Sequence, residues 1–186
     1  MIYIEFINEN RTVASLSVIT AQKCGVHPNV VQRLYAAAAL HDIGKTHIPA
    51  KILHKPGKLT DAEFEVMKEH TKHGADILKN VQGDLGAMSV AVALYHHEKW
   101  DATGYWGKYS SDLPLYVPIV SIADVFVALC SGSRAYKEAW PPKKAMEYIK
   151  QQSGTQFSPA LVDMFIDIVQ NDGNLPELFA NQTKQD

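Results

Sequence analysis

The chain has 186 residues, 46% of them hydrophobic and 20% charged, with a formal net charge of −2. That is enough chain for one compact domain with a sizeable core, and the near-neutral balance gives no support for a nucleic-acid groove or an anionic membrane surface. The two cysteines, Cys24 and Cys130, make no disulfide framework. The longest apolar run, Leu34 to Leu40, falls far short of the ~18 residues of a membrane span, and no basic-then-apolar leader opens the sequence. A cytoplasmic protein that binds neither nucleic acid nor membrane is expected.

In chain order, residues 1–7 are almost all apolar and fit a strand or a helix equally. From Glu9 the pattern turns helical, with Val13, Leu16 and Thr20 on one face, and Gly25 ends that element. An alanine-rich helix is predicted from about Asn29 to His41. Gly44, Pro49, Pro56 and Gly57 make residues 44–59 loop or short turns. Thr60 followed by Glu63 has capping-box spacing and opens the next helix. Further helices fit 71–80, 84–98, 116–131, 142–152 and 159–170, the last announced by Ser158-Pro159. No run shows sustained strand alternation. The expectation is an all-α, single-domain bundle of about seven or eight helices over residues 1–170, then a polar tail over 171–186.

Four features carry candidate chemistry. His41-Asp42 closes an apolar helix, where a buried charged pair is costly unless something compensates it, as a divalent cation would. The bland alternative is a histidine resting on the helix dipole beside an exposed aspartate. His96-His97-Glu98 closes a second apolar stretch. Adjacent residues point about 100° apart on a helix, so these histidines serve two neighbouring metals, or one acts from the helix and one from the loop, or they simply mark a wet helix end. Asp124 lies within a segment apolar all round, Ile119 to Leu129, which a buried helix explains. An unpaired aspartate there would cost several kcal/mol, which points to a ligand or a catalytic role. His70 and His73 share a helical face, and spacing alone does not choose between them. Together these nitrogen and oxygen donors suit a pair of borderline or hard divalent metals, and the absence of cysteine argues against a structural zinc knot.

The series His41-Asp42-Ile43-Gly44-Lys45, Ile48-Pro49, Ile52-Leu53-His54-Lys55-Pro56-Gly57-Lys58-Leu59-Thr60, Lys68-Glu69-His70, His96-His97-Glu98-Lys99-Trp100-Asp101, Gly104-Tyr105, Ala123-Asp124-Val125-Phe126, Arg134-Ala135-Tyr136-Lys137 and Ser153-Gly154-Thr155-Gln156-Phe157 closely resembles the HD-GYP family. The resemblance runs in unbroken order from about residue 9 to about 170. It implies a helical metal-dependent phosphohydrolase of the HD superfamily that hydrolyses cyclic di-GMP to pGpG and then GMP at two or three metals, iron or manganese. It implies His41, Asp42, His70, His96, His97 and Asp124 as ligands, with Asp42 bridging, and so decides for His70 over His73. Lys45 corresponds to the active-site lysine, and Arg134 and Lys137 to the pair that contacts the nucleotide phosphate. Gly104-Tyr105 lies on the loop that names the family, and Tyr105 is expected at the substrate.

The chain departs from the family pattern in several places. Where the family motif reads Asp-Gly-x-Gly-Tyr-Pro, this chain has Asp101-Ala102-Thr103-Gly104-Tyr105-Trp106, which must alter the loop's backbone options. Val127 and Ser158 stand where the family has aspartates. The upstream His-x-x-Arg-Val ligand is absent, and its place falls on Glu9, with Glu5 one turn earlier as a further candidate. An exposed first turn explains these two glutamates equally well. The chain begins almost at the metal domain, so a preceding sensory or receiver domain is not expected within it. The partners expected are a cyclic dinucleotide and a signalling protein at the 101–110 loop, with a homodimer open. The competing readings are a degenerate domain that binds but turns over little, and an HD phosphohydrolase of another nucleotide.

Overall fold

The computed structural model describes residues 2–131 and 139–171, with side chains from Asn8 onward. Its α-helices are α1 (Ile2–Lys23), α2 (Pro28–Ala39), α3 (Ala50–Leu53), α4 (Asp61–Lys68), α5 (His70–Leu78), α6 (Gly83–Tyr95), α7 (Tyr116–Cys130), α8 (Pro142–Gln151) and α9 (Pro159–Asn171). Short 3-10 turns cover Ile43–His47 and Ser110–Asp112. Apart from the four-residue α3 this makes eight helices, and no strand occurs among the described residues. The ambiguous start resolves as helix, because α1 is continuous from Ile2.

The core forms where α1 packs on α2 and α7, and α2 on α6. Val13, Leu16, Leu34, Ala37, Val92, Ile119, Ile122 and Phe126 are buried there. Ser17 and Thr20 face this core, and their hydroxyls donate to the Val13 and Leu16 carbonyls one turn back, so neither hydroxyl is orphaned. Helices α8 and α9 close the bundle against α7 and α1. Val127, one of the departures from the family pattern, is part of this core, so an aspartate's place has become packing.

Two predicted helix ends beside the candidate donors need correction. The helix drawn to His41 stops at Ala39, and the helix drawn to 98 stops at Tyr95. Beyond α6 the His96 amide still reaches Val92, and the Glu98 amide then makes the tighter bond to Tyr95; at α2 the last turn itself tightens. The Leu40 amide reaches back to Ala37 and the His41 amide to Ala38, the i→i+3 pattern by which helices end. The donor residues therefore stand just beyond helices.

At Thr60 the capping box is complete. The Thr60 hydroxyl accepts from the Glu63 amide, and the Glu63 carboxylate accepts from the Thr60 amide. The tail from residue 172 lies outside the described residues.

Candidate metal centre

Three helix ends meet at one place. The 3-10 turn after α2 packs on α5, and α5 packs on α6. Gly44 makes the first contact possible. A Cβ there would stand 1.9 Å from the His70 carbonyl oxygen and 2.4 Å from the Gly74 amide nitrogen, so only glycine lets the turn lie against α5. That approach brings Asp42 Oδ1 within 3.3 Å of His70 Nε2.

The histidines are aimed by their own backbones. His41 Nδ1 donates to the Ala38 carbonyl at 2.7 Å, and His70 Nδ1 to the Met67 carbonyl at 2.7 Å. His96 Nδ1 donates to the Val92 and Ala93 carbonyls at 3.0 Å. A carbonyl can only accept, so each ring carries a proton on Nδ1 and turns Nε2 inward. His70 and His96 face each other with Nε2 atoms 3.5 Å apart. All three rings are buried.

Two groups of donors converge: Asp42, His70, His96 and His97 in one, His41, His96 and Asp124 in the other. Asp42 reaches toward both. Its Oδ1 lies near His70 and His96, and its Oδ2 lies 3.3 Å from His41 Nε2. Asp124 Oδ1 lies 3.5 Å from the same His41 nitrogen. His96 and His97 share one group because α6 has already ended, which frees His97 from the helical 100° spacing. His73 is elsewhere, its ring 5.4 Å from that of His47.

The electrostatics suit a cation. Burial by itself would lower the His41 pKa, but the carboxylates of Asp42 and Asp124 overcome this and raise it to about 10. Burial would raise the Asp42 pKa, yet Lys45 and His41 hold it well below the carboxylate range. Asp124 is lowered likewise, its burial outweighed by His41. Burial, aided by neighbouring histidines, holds His96 well below the ordinary imidazole value, and burial takes His97 down to about 3. The centre thus has two ionised carboxylates and two histidines kept neutral, and the negative charge that holds a second proton on His41 is charge that a metal would offset in that proton's place. His41 Nε2 and Asp42 Oδ1 are buried without a hydrogen-bond partner. Buried polar atoms are rarely left so, and a divalent cation between them would satisfy both.

The remaining expected residues divide. Lys45 Nζ pairs with Asp42 Oδ2. Tyr105 lies over the centre, its ring 4.5 Å from that of His97. Glu9 belongs to neither donor group, but its Oε1 is buried and unpartnered, which counts against an exposed first turn. The Glu5 side chain, Arg134 and Lys137 lie outside the described residues.

Spacing did not single out the residues that hold the loop above the centre. The buried Glu98 carboxylate accepts from the Trp106 and Lys108 amides, each at 2.6 Å. The Gln156 and Thr155 carbonyls accept from the Trp100 and Asp101 amides, so the Ser153–Phe157 segment serves as a backing for the loop. Gly104 is pressed onto Glu98, where a Cβ would meet Glu98 Cα at 2.5 Å. Ala102 has φ of 61°, the left-handed conformation, so the departure there keeps a glycine-like backbone despite its Cβ. No proline could stand at 106 and give the amide that Glu98 accepts.

Residues 3–161 match the family model described as HD domain. A cyclic di-GMP phosphodiesterase of Vibrio cholerae serotype O1 is 45% identical over 145 residues, which cover 75% of this chain and 29% of that protein. A 3'3'-cGAMP-specific phosphodiesterase 2 of the same organism is 40% identical, over 70% of this chain and 25% of its own length. The chain thus spans less than a third of either relative. Among solved structures, Bd1817, an HDG"Y"P protein from Bdellovibrio bacteriovorus, superposes with a TM-score of 0.69 at 22% identity, over 88% of this chain and 52% of that one, which is a likeness of fold. No helix among the described residues is long and apolar enough to cross a membrane.

Proposed function

The chain belongs to the HD domain family, and we propose that it is a metal-dependent phosphodiesterase that opens cyclic di-GMP to linear pGpG and then releases GMP. The observation that carries this reading is the convergence of the His41, His70 and His96 Nε2 atoms on the two oxygens of a buried Asp42. The names of relatives at 40–45% identity support a cyclic dinucleotide as the substrate.

His41, Asp42, His70, His96, His97 and Asp124 would hold two divalent cations, with Asp42 spanning them. Glu9, whose Oε1 is buried without a partner, and Glu5 are candidates to extend the set. The donors are nitrogen and oxygen only, which suits iron or manganese. Such cations, when bound, supply Lewis-acid activation of the phosphate and a water-derived nucleophile at neutral pH.

The chain's own groups do the rest. Lys45 sits beside Asp42, so its ammonium would offset charge near the phosphate or help the departing oxygen. Arg134, with a planar fork, and Lys137 would contact the nucleotide phosphate. Tyr105 roofs the centre and limits its access to water. Water adds across one P–O bond, which opens the ring. The partner expected at the 101–110 loop, a homodimer and a cytoplasmic location belong to the same proposal, as does a metal domain over residues 1–170.

The test is hydrolysis of cyclic di-GMP by anaerobically purified protein loaded with iron or manganese, with metal counted per chain. Asp42→Ala should abolish turnover and cut metal content. Unchanged activity in that variant would sink the assignment. A second reading, 3'3'-cGAMP as the preferred substrate, rests on the relative of that name. It wins if the loaded protein cleaves 3'3'-cGAMP and spares cyclic di-GMP.

A further inference from the structure

The peptide bends between α4 and α5, and the bend frees backbone carbonyls just before His70. Two side chains catch them. His70 Nδ1 donates to the Met67 carbonyl, and the Thr71 hydroxyl donates to the Lys68 carbonyl at 2.9 Å. The direction of the His70 ring therefore depends on this bend keeping its shape.

Trp106 reaches the bend from the loop on the far side of the centre. Its indole Nε1 donates to Thr71 Oγ1 at 3.1 Å. The Lys72 ammonium sits 4.0 Å from its ring centroid, a favourable cation–π distance. The Trp106 amide donates at the same time to the buried Glu98. One residue thus joins the segment that follows His96-His97 to the helix that starts with His70. Between the two, Tyr105 contacts the rings of both His97 and His70, at 4.5 and 6.3 Å. A proline at 106 would provide neither the indole nor the amide donor.

We propose that Trp106 is a positioning residue for the metal centre: its bond to Thr71 fixes the α4–α5 bend that aims His70, and with it the seat of Tyr105 on His97. The inference rests on the metal-centre reading above. It extends that reading by giving one of this chain's departures from the family pattern a task. Partners that orient metal ligands typically contribute about 10- to 100-fold in metal affinity, and Thr71–Trp106 falls in that class because Thr71 adjoins a ligand and braces its helix.

The full chain is titrated with Mn(II) for its affinity, and the tryptophan indole N–H resonances are read by ¹H–¹⁵N NMR on the metal-free chain, where no paramagnetic ion broadens them. Trp106→Phe, which keeps a ring but removes the N–H, identifies the Trp106 resonance and is expected to weaken Mn(II) binding about 10-fold. Thr71→Val, which also loses the bond to the Lys68 carbonyl, should shift that resonance, speed its exchange with solvent and weaken Mn(II) binding at least as much. Thr71→Ser should restore both. Because both residues serve one bond, the double variant should bind no more weakly than Thr71→Val alone. Wild-type affinity in Trp106→Phe, or losses that add in the double variant, would overturn the inference while leaving the metal centre in place. If Thr71→Val does not fold, Trp106→Phe against wild type decides alone. A wild-type chain that takes up no Mn(II) overturns the metal-centre reading itself, and this inference with it.

Discussion

His41, His70 and His96 are each aimed by a carbonyl three or four residues back, at the end of the helix that precedes them, whereas Tyr105 and Trp106 are aimed by Glu98, Thr71, Lys72 and His97, drawn from two other segments. The floor of the site is thus built from local rules and its roof from tertiary ones. A helix end always has free carbonyls, so a histidine there finds an anchor wherever the helix packs. A loop without such anchors must borrow them, and each borrowed contact is a place where relatives can differ. The departures at Ala102 and Trp106 both fall in the roof, while His41, Asp42, His70, His96, His97 and Asp124 are the residue types that the family resemblance implies for the floor.

The comparison breaks hardest at the one point where the floor itself depends on tertiary contact. Gly44→Ala would drive a Cβ into the His70 carbonyl oxygen, which would be 1.9 Å away. Backbone cannot rotate aside as a side chain can, so the turn must separate from α5. We expect a loss of about 3 kcal/mol in unfolding free energy, read from urea denaturation. Metal content should fall with it, because Asp42 would no longer reach His70. A variant that kept wild-type stability and metal content would show that α2's end, and not its contact with α5, places Asp42.

The roof responds more gently, and in the opposite direction. Ala102 holds φ of 61°, where a Cβ crowds its own backbone at a cost of about 1–2 kcal/mol. Glycine removes that strain but gives back some order in the unfolded chain. Ala102→Gly should therefore stabilise the protein by about 1 kcal/mol or less, seen as a raised thermal midpoint. A lower midpoint would mean that the Ala102 methyl makes a contact worth more than the strain.

The same division explains how much the sequence reveals. The helices are readable because their signals are local: Thr60 with Glu63 opens α4, Ser158-Pro159 opens α9, and Asp124 stands out inside an apolar segment. His41, His96 and His97 are readable as donors because apolar runs end on them. Their meeting in space is not readable from spacing, and neither is the choice of His70 over His73, which rests on Gly44 packing against α5. The resemblance carries that choice where periodicity could not. The ends of α2 and α6 are drawn two or three residues too long, because periodicity does not register the final tightening into i→i+3 bonds. That small error matters, since it hides how His97 escapes the helix and joins His96. Glu98, Thr71 and Gln156 carry no signal of their own, because a residue that borrows or lends a long-range bond looks like any other polar residue.

The finest test concerns the same helix-end bonding carried out in solvent rather than in the core. At the start of α4, Glu63 accepts from the Thr60 amide at 2.8 Å and from Lys55 Nζ at 2.5 Å. The Lys55 bond first, and the Thr60 amide second, lower its pKa from 4.5 to about 2. A carboxylate whose folded pKa is depressed adds stability that is fully present above its unfolded value. That stability fades as pH falls through the unfolded value toward the folded one. Wild type should thus lose this increment between about pH 4.5 and pH 2, while Glu63→Gln has no such increment to lose. The two proteins share the acid sensitivity of the buried centre, so the difference between their thermal midpoints isolates α4. It should be small, because exposed ion pairs contribute little, and it should narrow on acidification. Parallel midpoint curves would mean that Lys55 and Thr60 hold Glu63 no better in the fold than water holds it in the unfolded chain. Helix-end bonding would then be decisive only where the helix end is buried, as it is at His41, His70 and His96.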